Sequence, residues 1–378
     1  MHVADITLFF APHSGGVKRY LLAKHRHFNA QVGLRHSLIV PGRRDAEIEP
    51  AIFEMKSPRI PFGGGYRIPW RVDRWRSQLN RLSPDVIEAG DPYHLAWTAL
   101  RSAADLRIPA VAFAHSDMSR VLASHVARSA GPIADAYLRK LYARFDLVMA
   151  PSRSIARRLH DIGVERVVVQ PLGVDGDTFT PTRRDPNLRA ELGLADDVRL
   201  LIFAGRMAPE KQIPLLIDAF ALLGDRYHLL LVGAETRSQP ARNVTVLPYE
   251  QDSAGLARLI ASADALAHAG AHETFGLIAI EAMACGIPVV GVRSGALGEL
   301  IDDVVGVLAD GNDAGSFARA VEKLYSRNLR KMGLSARAKV DKAYTWKSIF
   351  DRQIERYRHL IGRGDVPIYD ETEVAGAQ

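Results

Sequence analysis

The sequence RLLIFAGRMAPEKQIPLLIDAF, from Arg199 to Phe220, joins a short apolar run, a polar loop and an amphipathic stretch. The run Arg199–Ala204 is rich in Leu, Ile and Phe, as in a strand that is buried on both faces of a parallel sheet. From Ile213 onward the apolar residues recur at helical spacing. Strand, loop and helix in this order form half of a βαβ unit, so the segment predicts an α/β fold.

The same alternation continues along the whole chain. Strands are expected at Ile6–Phe10, Ser37–Val40, Val86–Glu88, Ala110–Ala114, Leu147–Ala150, Val167–Gln170, Arg199–Ala204, His228–Val232, Val244–Leu247, Ala265–His268 and Pro288–Val292. Helices are expected at Val17–Phe28, His94–Asp105, Ile133–Arg144, Ser152–Asp161, Ile213–Leu223, Ser253–Ala261, Leu277–Ala284 and Ala314–Ser326. Because parallel strands need crossover connections, which are usually helices, this order predicts two doubly wound domains.

A segment rich in proline and glycine divides the chain. Pro171–Asp185 has the composition of a linker. A chain of 378 residues has room for two domains, which we place at 1–175 and 186–345. The polar, acidic end at 364–378 is expected to be a flexible tail.

Composition and charge limit the class of protein. With 47% hydrophobic and 24% charged residues, the chain is neither disordered nor fibrous. No apolar run approaches the length of a membrane span, and no secretory signal is evident at the start. A single cysteine, Cys285, excludes an intramolecular disulfide framework and suits a reducing cytosol.

The positive charge lies in the first half. Residues 1–180 carry 25 Lys and Arg against 17 Asp and Glu, and the remainder carries 24 against 26. A basic first half suggests an anionic partner, with nucleic acid, a membrane surface and a phosphorylated acceptor all open at this point. A merely solvated, arginine-rich surface would have the same charge.

Two cations follow the predicted strand Arg199–Ala204. Arg206 and Lys211 lie in the loop between the strand that ends at Gly205 and the helix that begins near Gln212. Cations beside a helix N-terminus at the carboxyl end of a strand form a site for an anion, especially a diphosphate. The spacing fits no Walker loop. Two solvated loop cations are the alternative.

A second motif, HETFGLIAIEAMACGIPVV, runs from His272 to Val290 and carries Glu273 and Glu281. Helical rise over the eight positions would separate them by up to ~12 Å. That is too far for the carboxylate pair of a glycosidase, which lies about 5–9.5 Å apart. The separation suits the two ends of a nucleotide sugar, with a phosphate bound by the amides around Thr274–Leu277.

Two weaker signals lie in the first half. In APHSGGVKRYL (Ala11–Leu21), Gly15 and Gly16 open a helix and let a phosphate or a sugar approach the backbone, although no dinucleotide fingerprint is complete. In PAVAFAHSD (Pro109–Asp117), His115 ends a buried strand, where it could bind a sugar hydroxyl or serve only as a core residue.

Three other features are given less weight. Asp175-Gly176-Asp177 resembles a D-x-D metal motif but lacks further ligands, so a turn is the better interpretation. Cys285 has no local partner for a thiol or zinc site. The segment Arg67–Leu79 mixes Trp with Arg and fits either a helix at an anionic membrane or an exposed helix with Trp70 and Trp75 in the core.

Together these motifs resemble those of the GT-B glycosyltransferases and, within that fold, of glycosyltransferase family 4. The resemblance covers almost the whole chain and is strongest through AGRMAPEKQIPLLIDAF, HLLLVGAE, SADALAHAG, HETFGLIAIEAMACGIPVVG and SGALGELI. The Glu273 and Glu281 pair is moderately specific alone and highly specific with the Arg206 and Lys211 loop. The resemblance implies two Rossmann-like domains facing an interdomain cleft, and a C-terminal helix at 346–363 that crosses back to the first domain.

The resemblance also implies roles for single residues. Glu281 would hold the ribose hydroxyls, Arg206 and Lys211 the diphosphate, and Glu273 the donor sugar. The catalytic residues so implied are His115, Glu273, Arg206 and Lys211. The donor-binding residues are Gly15, Gly16, Arg206, Lys211, Glu273, Thr274, Phe275, Gly276, Leu277 and Glu281. No cofactor and no metal are expected.

Two segments depart from the family pattern. Family members commonly have Asn after the linker proline, where this chain has Pro171-Leu172-Gly173. The usual Gly-Gly-x-Pro-Glu becomes Gly295-Ala296-Leu297-Gly298-Glu299. Neither removes an implied diphosphate ligand, so both bear on loop geometry.

The activity implied is that of a retaining, metal-independent hexosyltransferase that uses a nucleotide-diphosphate sugar. The segments SGGVKRYL and FAHSD resemble mannosyltransferases and favour GDP-mannose, with a UDP-sugar second. The basic half favours a lipid-linked or saccharide acceptor at the cytoplasmic face of the membrane, as in glycolipid or polysaccharide biosynthesis, over nucleic acid. The alternatives are a non-catalytic nucleotide-sugar-binding subunit and another GT-B activity, such as a sugar-nucleotide epimerase.

Overall fold

The computed structural model describes residues 1–11, 15–61, 65–125, 130–235 and 237–362. The chain forms two compact units: unit 1 comprises Met1–Pro171 and the C-terminal residues from Ile349, and unit 2 comprises Leu172–Ser348. The end of the first segment at Pro171 and the end of unit 2 at Ser348 lie near the expected 175 and 345, but unit 2 begins at Leu172 and not at 186, so it includes the expected linker. The predicted tail, 364–378, lies outside the described residues. Within the described ranges, no helix is both long and apolar enough to cross a membrane.

Unit 1 contains an eight-stranded sheet. Its strands are β1 (His2–Ile6), β2 (Arg35–Gly42), β3 (Ala46–Glu49), β4 (Ile52–Lys56), β5 (Val86–Ala89), β6 (Ala110–Phe113), β7 (Leu147–Ala150) and β8 (Val167–Val169). The spatial order is β3-β4-β2-β1-β5-β6-β7-β8, and every pair is parallel except β3 with β4. The helices before the linker are α1 (Gly15–Asn29), α2 (Val72–Leu82), α3 (His94–Leu106), α4 (Met118–His125), α5 (Ala130–Tyr142) and α6 (Arg153–Asp161).

Unit 2 contains a seven-stranded sheet. Its strands are β9 (Arg199–Ala204), β10 (Tyr227–Ala234), β11 (Ser238–Ala241), β12 (Val244–Pro248), β13 (Ala265–His268), β14 (Val289–Val292) and β15 (Gly306–Ala309), in the order β11-β12-β10-β9-β13-β14-β15. Only β11 pairs antiparallel. The helices are α7 (Leu188–Glu191), α8 (Ile213–Leu223), α9 (Ser253–Ser262), α10 (Leu277–Ala284), α11 (Leu297–Leu300), α12 (Ala314–Tyr325) and α13 (Leu329–Ala343). Two parallel-sheet α/β units confirm the predicted fold class.

The last helix, α14 (Trp346–Ile361), belongs to unit 1 from Ile349 onward. Its buried face includes Phe350, whose ring lies 5.7 Å from that of Tyr20 and 6.1 Å from that of Phe28, both on α1. The amphipathic pattern of the sequence therefore has its apolar side against the first unit, as the resemblance implied.

The predicted position of the first strand was wrong. The strand expected at Ile6–Phe10 lies at His2–Ile6 instead, and all five of its residues are buried. His2 and Asp5 interrupt the apolar run, so hydrophobicity alone pointed to the residues that follow. The charge of Asp5 is tolerated in the core because a buried cation lies beside it.

That cation is Lys24 of α1, which is fully buried. Its Nζ lies 2.8 Å from Asp5 Oδ2 and 2.9 Å from Glu88 Oε1, and it also donates to Tyr357 Oη of α14 at 2.9 Å. Gln353, also on α14, donates to Glu88 Oε2 at 3.1 Å. Burial raises the pKa of Glu88 to about 7, despite the opposing charge of Lys24. One cation thus joins β1, β5, α1 and α14.

We expect Lys24→Met to destabilise unit 1 by about 3–5 kcal/mol, because it leaves Asp5 and Glu88 buried without their cation. Urea unfolding followed by tryptophan fluorescence measures this, since Trp70, Trp75 and Trp97 all lie in unit 1.

The matched control is Lys140→Met at an exposed lysine of α5, which should change the free energy of unfolding by no more than about 0.5 kcal/mol. Equal stability of the two variants would contradict a structural role for the buried cluster.

Candidate active site

Strand β9 occupies the point in unit 2 where the strand order changes direction, with β10 on one side and β13 on the other. In open parallel sheets, ligands bind beyond the carboxyl ends of the strands at such a switch point. The loop after β9 carries Arg206 and Lys211, and the loop after β13 carries Glu273. The topology therefore brings three of the predicted residues to one edge of the sheet.

The loop after β9 begins with a close approach between two strands. A Cβ on Gly233 of β10 would lie 1.8 Å from the carbonyl oxygen of Gly205. The two backbone segments can therefore lie this close only because residue 233 is glycine. Arg206 follows with its side chain 63% exposed, and it donates to Glu210 Oε1 at 3.1 Å. A short 3-10 turn then leads through Lys211 to the start of α8.

Lys211 and Glu273 form an ion pair that links the two loops. Lys211 Nζ lies 2.5 Å from Glu273 Oε2, and the two side chains are 19% and 16% exposed. Buried His268, the last residue of β13, brings its Nε2 to 3.3 Å from the same oxygen. Burial would raise the pKa of Glu273, but the charge of Lys211 and the contact with His268 outweigh it and hold that pKa well below its usual range. Glu273 is therefore a firmly ionised carboxylate.

The backbone of Glu273 is held as well. Its carbonyl oxygen accepts a hydrogen bond from the amide of Ala296 at 3.1 Å. Gly295 has φ +54° and lies so close that an added Cβ would be 2.7 Å from that carbonyl oxygen. This is the segment that departs from the family pattern, and here it still packs against Glu273.

Helix α10 begins just after Glu273. Its N-cap is Gly276 at φ +85°, and no side chain caps it. The amides of Ala279 and Ile280 donate to the carbonyl oxygen of Gly276, so within the predicted phosphate segment Thr274–Leu277 it is the amide of Leu277 that begins the helix. Phe275 is buried and lies 6.1 Å from the ring of Tyr344, so its side chain is part of the core. Thr274 lies in the same short bend.

Glu281 lies inside α10 and is 2% exposed. The separation of ~12 Å from Glu273 assumed helical rise over all eight positions. Residues 273–276 precede the helix, so that estimate does not apply. The part of the prediction that remains is that Glu273 precedes α10 and Glu281 lies within it.

In unit 1, His115 lies two residues beyond the end of β6 and is 7% exposed. Its ring stacks on that of Phe113 at 4.0 Å and meets the edge of Tyr20 at 5.2 Å. Burial and, to a smaller degree, the charge of Lys24 lower the pKa of His115 to about 3. The imidazole is therefore neutral and can act as a hydrogen-bonding dipole.

The predicted glycine loop follows β1. Helix α1 begins at Gly15, which has φ +51°, and Gly16 is its second residue. Residues 12–14 of the same motif lie outside the described residues. Gly15, Gly16 and His115 thus belong to unit 1, and the other predicted site residues belong to unit 2.

Sequence reasoning missed two polar residues at the carboxyl edges of the sheets. Asp91, just after β5, accepts from the amide of Leu8 at 2.6 Å and so ties the loops after β1 and β5 together. Burial raises the pKa of Asp91 to about 6. The sequence pattern places His268 only at the end of a strand. The position of each residue at or just after the carboxyl end of a buried strand was the available signal.

The structure describes two of the features given less weight, the turn at Asp175 and the single cysteine. Asp175 accepts from the amides of Asp177 and Thr178, both at 3.1 Å, and so forms a turn. Cys285 is buried, and burial raises the pKa of its thiol. Among the described residues, no group of three or more His, Cys, Asp or Glu side chains could hold a metal ion.

Comparison with known families gives two matches that together cover most of the chain. Residues 14–178 match the family described as Glycosyltransferase Family 4, and residues 184–341 match Glycosyl transferases group 1.

Individual relatives match over nearly the full length. A GDP-mannose-dependent alpha-(1-6)-phosphatidylinositol dimannoside mannosyltransferase of Mycobacterium tuberculosis is 32% identical, over 92% of this chain and 93% of the relative. A GDP-mannose-dependent alpha-mannosyltransferase of Mycolicibacterium smegmatis is 31% identical, over 96% and 98%. Among solved structures, sucrose-phosphate synthase from Thermosynechococcus elongatus has a TM-score of 0.78 at 21% identity, over 96% of this chain and all of that one.

Proposed function

Because the chain belongs to the group 1 glycosyltransferases of family 4, and is thus a nucleotide-sugar-dependent hexosyltransferase, we propose that it transfers mannose from GDP-mannose to a lipid-linked acceptor. The transfer retains the anomeric configuration and uses neither a metal nor another cofactor. The observation that carries the proposal is the convergence of Arg206, Lys211, Glu273 and the start of α10 at the switch point of unit 2.

In this proposal each group has a task set by its charge. Arg206 and Lys211, with the amides at the start of α10, bind the diphosphate and stabilise the negative charge that grows on it as the sugar leaves. Ionised Glu273 binds hydroxyls of the donor sugar. Glu281, buried in α10, binds the ribose hydroxyls. His115 of unit 1 offers a neutral hydrogen-bonding group that is suited to a sugar hydroxyl.

The reaction we propose is a front-face displacement. The bond between the anomeric carbon and the diphosphate oxygen breaks, and the acceptor oxygen forms its bond to the same face of that carbon. The acceptor proton passes to the leaving diphosphate, which therefore serves as the base. The main contribution of the protein is electrostatic, because two cations and a helix N-terminus face the leaving group.

The choice of donor and acceptor rests on the relatives. Both mycobacterial relatives named above are described as GDP-mannose-dependent, and one acts on a phosphatidylinositol dimannoside. The base of the nucleotide would lie near Leu247–Gln251, at the carboxyl end of β12. An anionic lipid acceptor also fits the surplus of basic residues in the first half of the chain.

The donor is tested by titrating GDP, UDP and ADP and following thermal unfolding. GDP at 100 times its Kd should add about 2.7 kcal/mol of stability, which raises Tm by roughly 2–4 °C. Arg206→Ala should weaken GDP binding about tenfold or more, because a charge-assisted contact to the diphosphate is lost.

Arg242→Ala is the matched control. Arg242 is also an exposed arginine of unit 2 and pairs with Asp225, but it precedes β12 and so lies at the opposite edge of the sheet. Its loss should leave GDP binding unchanged. Stronger stabilisation by UDP than by GDP would change the donor, and stabilisation by none of the three nucleotides would overturn the proposed function.

We further propose that the enzyme meets its lipid acceptor at an anionic bilayer, on the cytoplasmic face, through an exposed apolar segment of unit 1. Trp70 is 83% exposed, and Ile60 and Ile68 are 39% and 38% exposed. Arg59 and Arg67 are paired across an antiparallel bridge, so the alternation of side chains directs Ile60 and Ile68 to the opposite face from these arginines. Exposed tryptophan and isoleucine side chains on one face of a segment that also carries arginines are suited to an anionic membrane surface.

One of the two interpretations of the segment Arg67–Leu79 placed both Trp70 and Trp75 in the core, and it was wrong in part. Trp75 of α2 is buried, with 1% exposed, but Trp70 precedes the helix and projects from the surface. Residues 62–64, which join the two sides of the bridge, lie outside the described residues.

Trp70→Ala should weaken binding to phosphatidylglycerol vesicles about tenfold, because the indole no longer enters the interface. Co-sedimentation measures the bound fraction. The control, Ile133→Ala, removes another exposed apolar side chain of unit 1, on α5 and 73% exposed, and should have no effect. Equal binding of the Trp70 variant, or equal binding of the wild type to phosphatidylcholine vesicles, would refute the membrane proposal.

A further inference from the structure

His268 is held rigidly at the end of β13. Its side chain is fully buried, and its ring lies 5.6 Å from that of Phe203 on the neighbouring strand β9. The amide of Gly270 donates to His268 Nδ1 at 3.0 Å. A Cβ on Gly270 would lie 2.6 Å from the ring, so only glycine allows the backbone to come this close. The imidazole therefore has little freedom to turn.

The contact with Gly270 also decides the tautomer. Because Nδ1 accepts a hydrogen bond, the ring proton resides on Nε2, the nitrogen that lies 3.3 Å from Glu273 Oε2. Burial lowers the pKa of His268, and the charge of Lys211 acts in the same direction against the opposing influence of Glu273. The group that faces Glu273 is thus a neutral N–H, which lies close to the carboxylate but is not hydrogen-bonded to it.

Glu273 Oε2 accepts a hydrogen bond from Lys211 Nζ at 2.5 Å. In the proposed function, Lys211 also binds the diphosphate. A lysine ammonium on a flexible stem can turn toward a diphosphate, whose charge exceeds that of one carboxylate. When Lys211 turns toward the diphosphate, Glu273 loses the hydrogen bond that orients its carboxylate.

We propose that His268 is a positioning residue that keeps the Glu273 carboxylate in place for the donor sugar when Lys211 turns to the diphosphate. The inference rests on the proposed function. A neutral, immobile donor suits this task for two reasons. It cannot be drawn away by the diphosphate as a cation would be, and it leaves the full negative charge on Glu273.

Two variants separate this role from packing. In His268→Gln the side-chain amide can occupy the place of Nε2 and donate to Glu273, whereas in His268→Asn the shorter amide reaches only the place of Nδ1. With the sugar nucleotide that the wild type turns over, His268→Asn should lower kcat about 10- to 100-fold with a smaller change in KM. His268→Gln should stay within a few-fold of the wild type.

The pH profile gives a second measurement. Loss of a donor to the carboxylate raises the pKa of Glu273, so protonation begins at a higher pH. The acid limb of kcat should therefore move to higher pH in His268→Asn and stay in place in His268→Gln. GDP binding, measured by calorimetry, should be the same in both variants and the wild type, because Glu273 is assigned to the sugar.

The outcomes distinguish the two proposals. If the wild type binds GDP and transfers sugar but His268→Asn matches it, or if both variants lose activity equally with no shift of the acid limb, the role of His268 is refuted. If the wild type binds no nucleotide, the proposed function itself fails. Should His268→Asn not fold, nitrogen-15 NMR of the wild type decides, since a proton on Nδ1 would overturn the inference.

Discussion

The ion pair between Lys211 and Glu273 is the interaction on which the site in unit 2 depends. Its two residues lie far apart in sequence, on the loops after β9 and β13, and they meet because those strands are neighbours at the switch point. The pair keeps a mostly buried carboxylate ionised, and in the proposed function its cation also binds the leaving diphosphate. The fold thus delivers both charges, and the ion pair orients them relative to each other.

The prediction of the fold from sequence succeeded where a strand had a clear apolar run or a helix had clear helical spacing of its apolar residues. Strands β7, β9 and β13 and helices α8 and α10 have the predicted bounds, and α14 begins at the predicted residue. It failed for the edge strands β3 and β11, whose sequences AEIE and SQPA are largely exposed and so carry no apolar pattern. It also shifted β1, because the buried charge of Asp5 is compensated by Lys24, a residue on another element.

The candidate site was predictable to a similar degree and for a similar reason. Arg206, Lys211 and Glu273 could be found because charged residues directly follow buried strands or precede a helix. Their pairing could not be found, because it depends on strand order, which one sequence does not state. His268 was missed since a histidine at the end of a strand also fits a core residue, and only the contacts with Gly270 and Glu273 distinguish the two.

In the proposed function, this edge of unit 2 transfers a sugar from a nucleotide to a lipid. The most direct measurement incubates radiolabelled GDP-mannose with the wild type, or with Glu273→Gln, and an inositol-containing phospholipid bearing mannose. The account predicts that the wild type produces a labelled lipid whose new linkage is α by NMR, and that Glu273→Gln produces almost none. Free mannose as the only labelled product, or equal transfer by the two proteins, would contradict it.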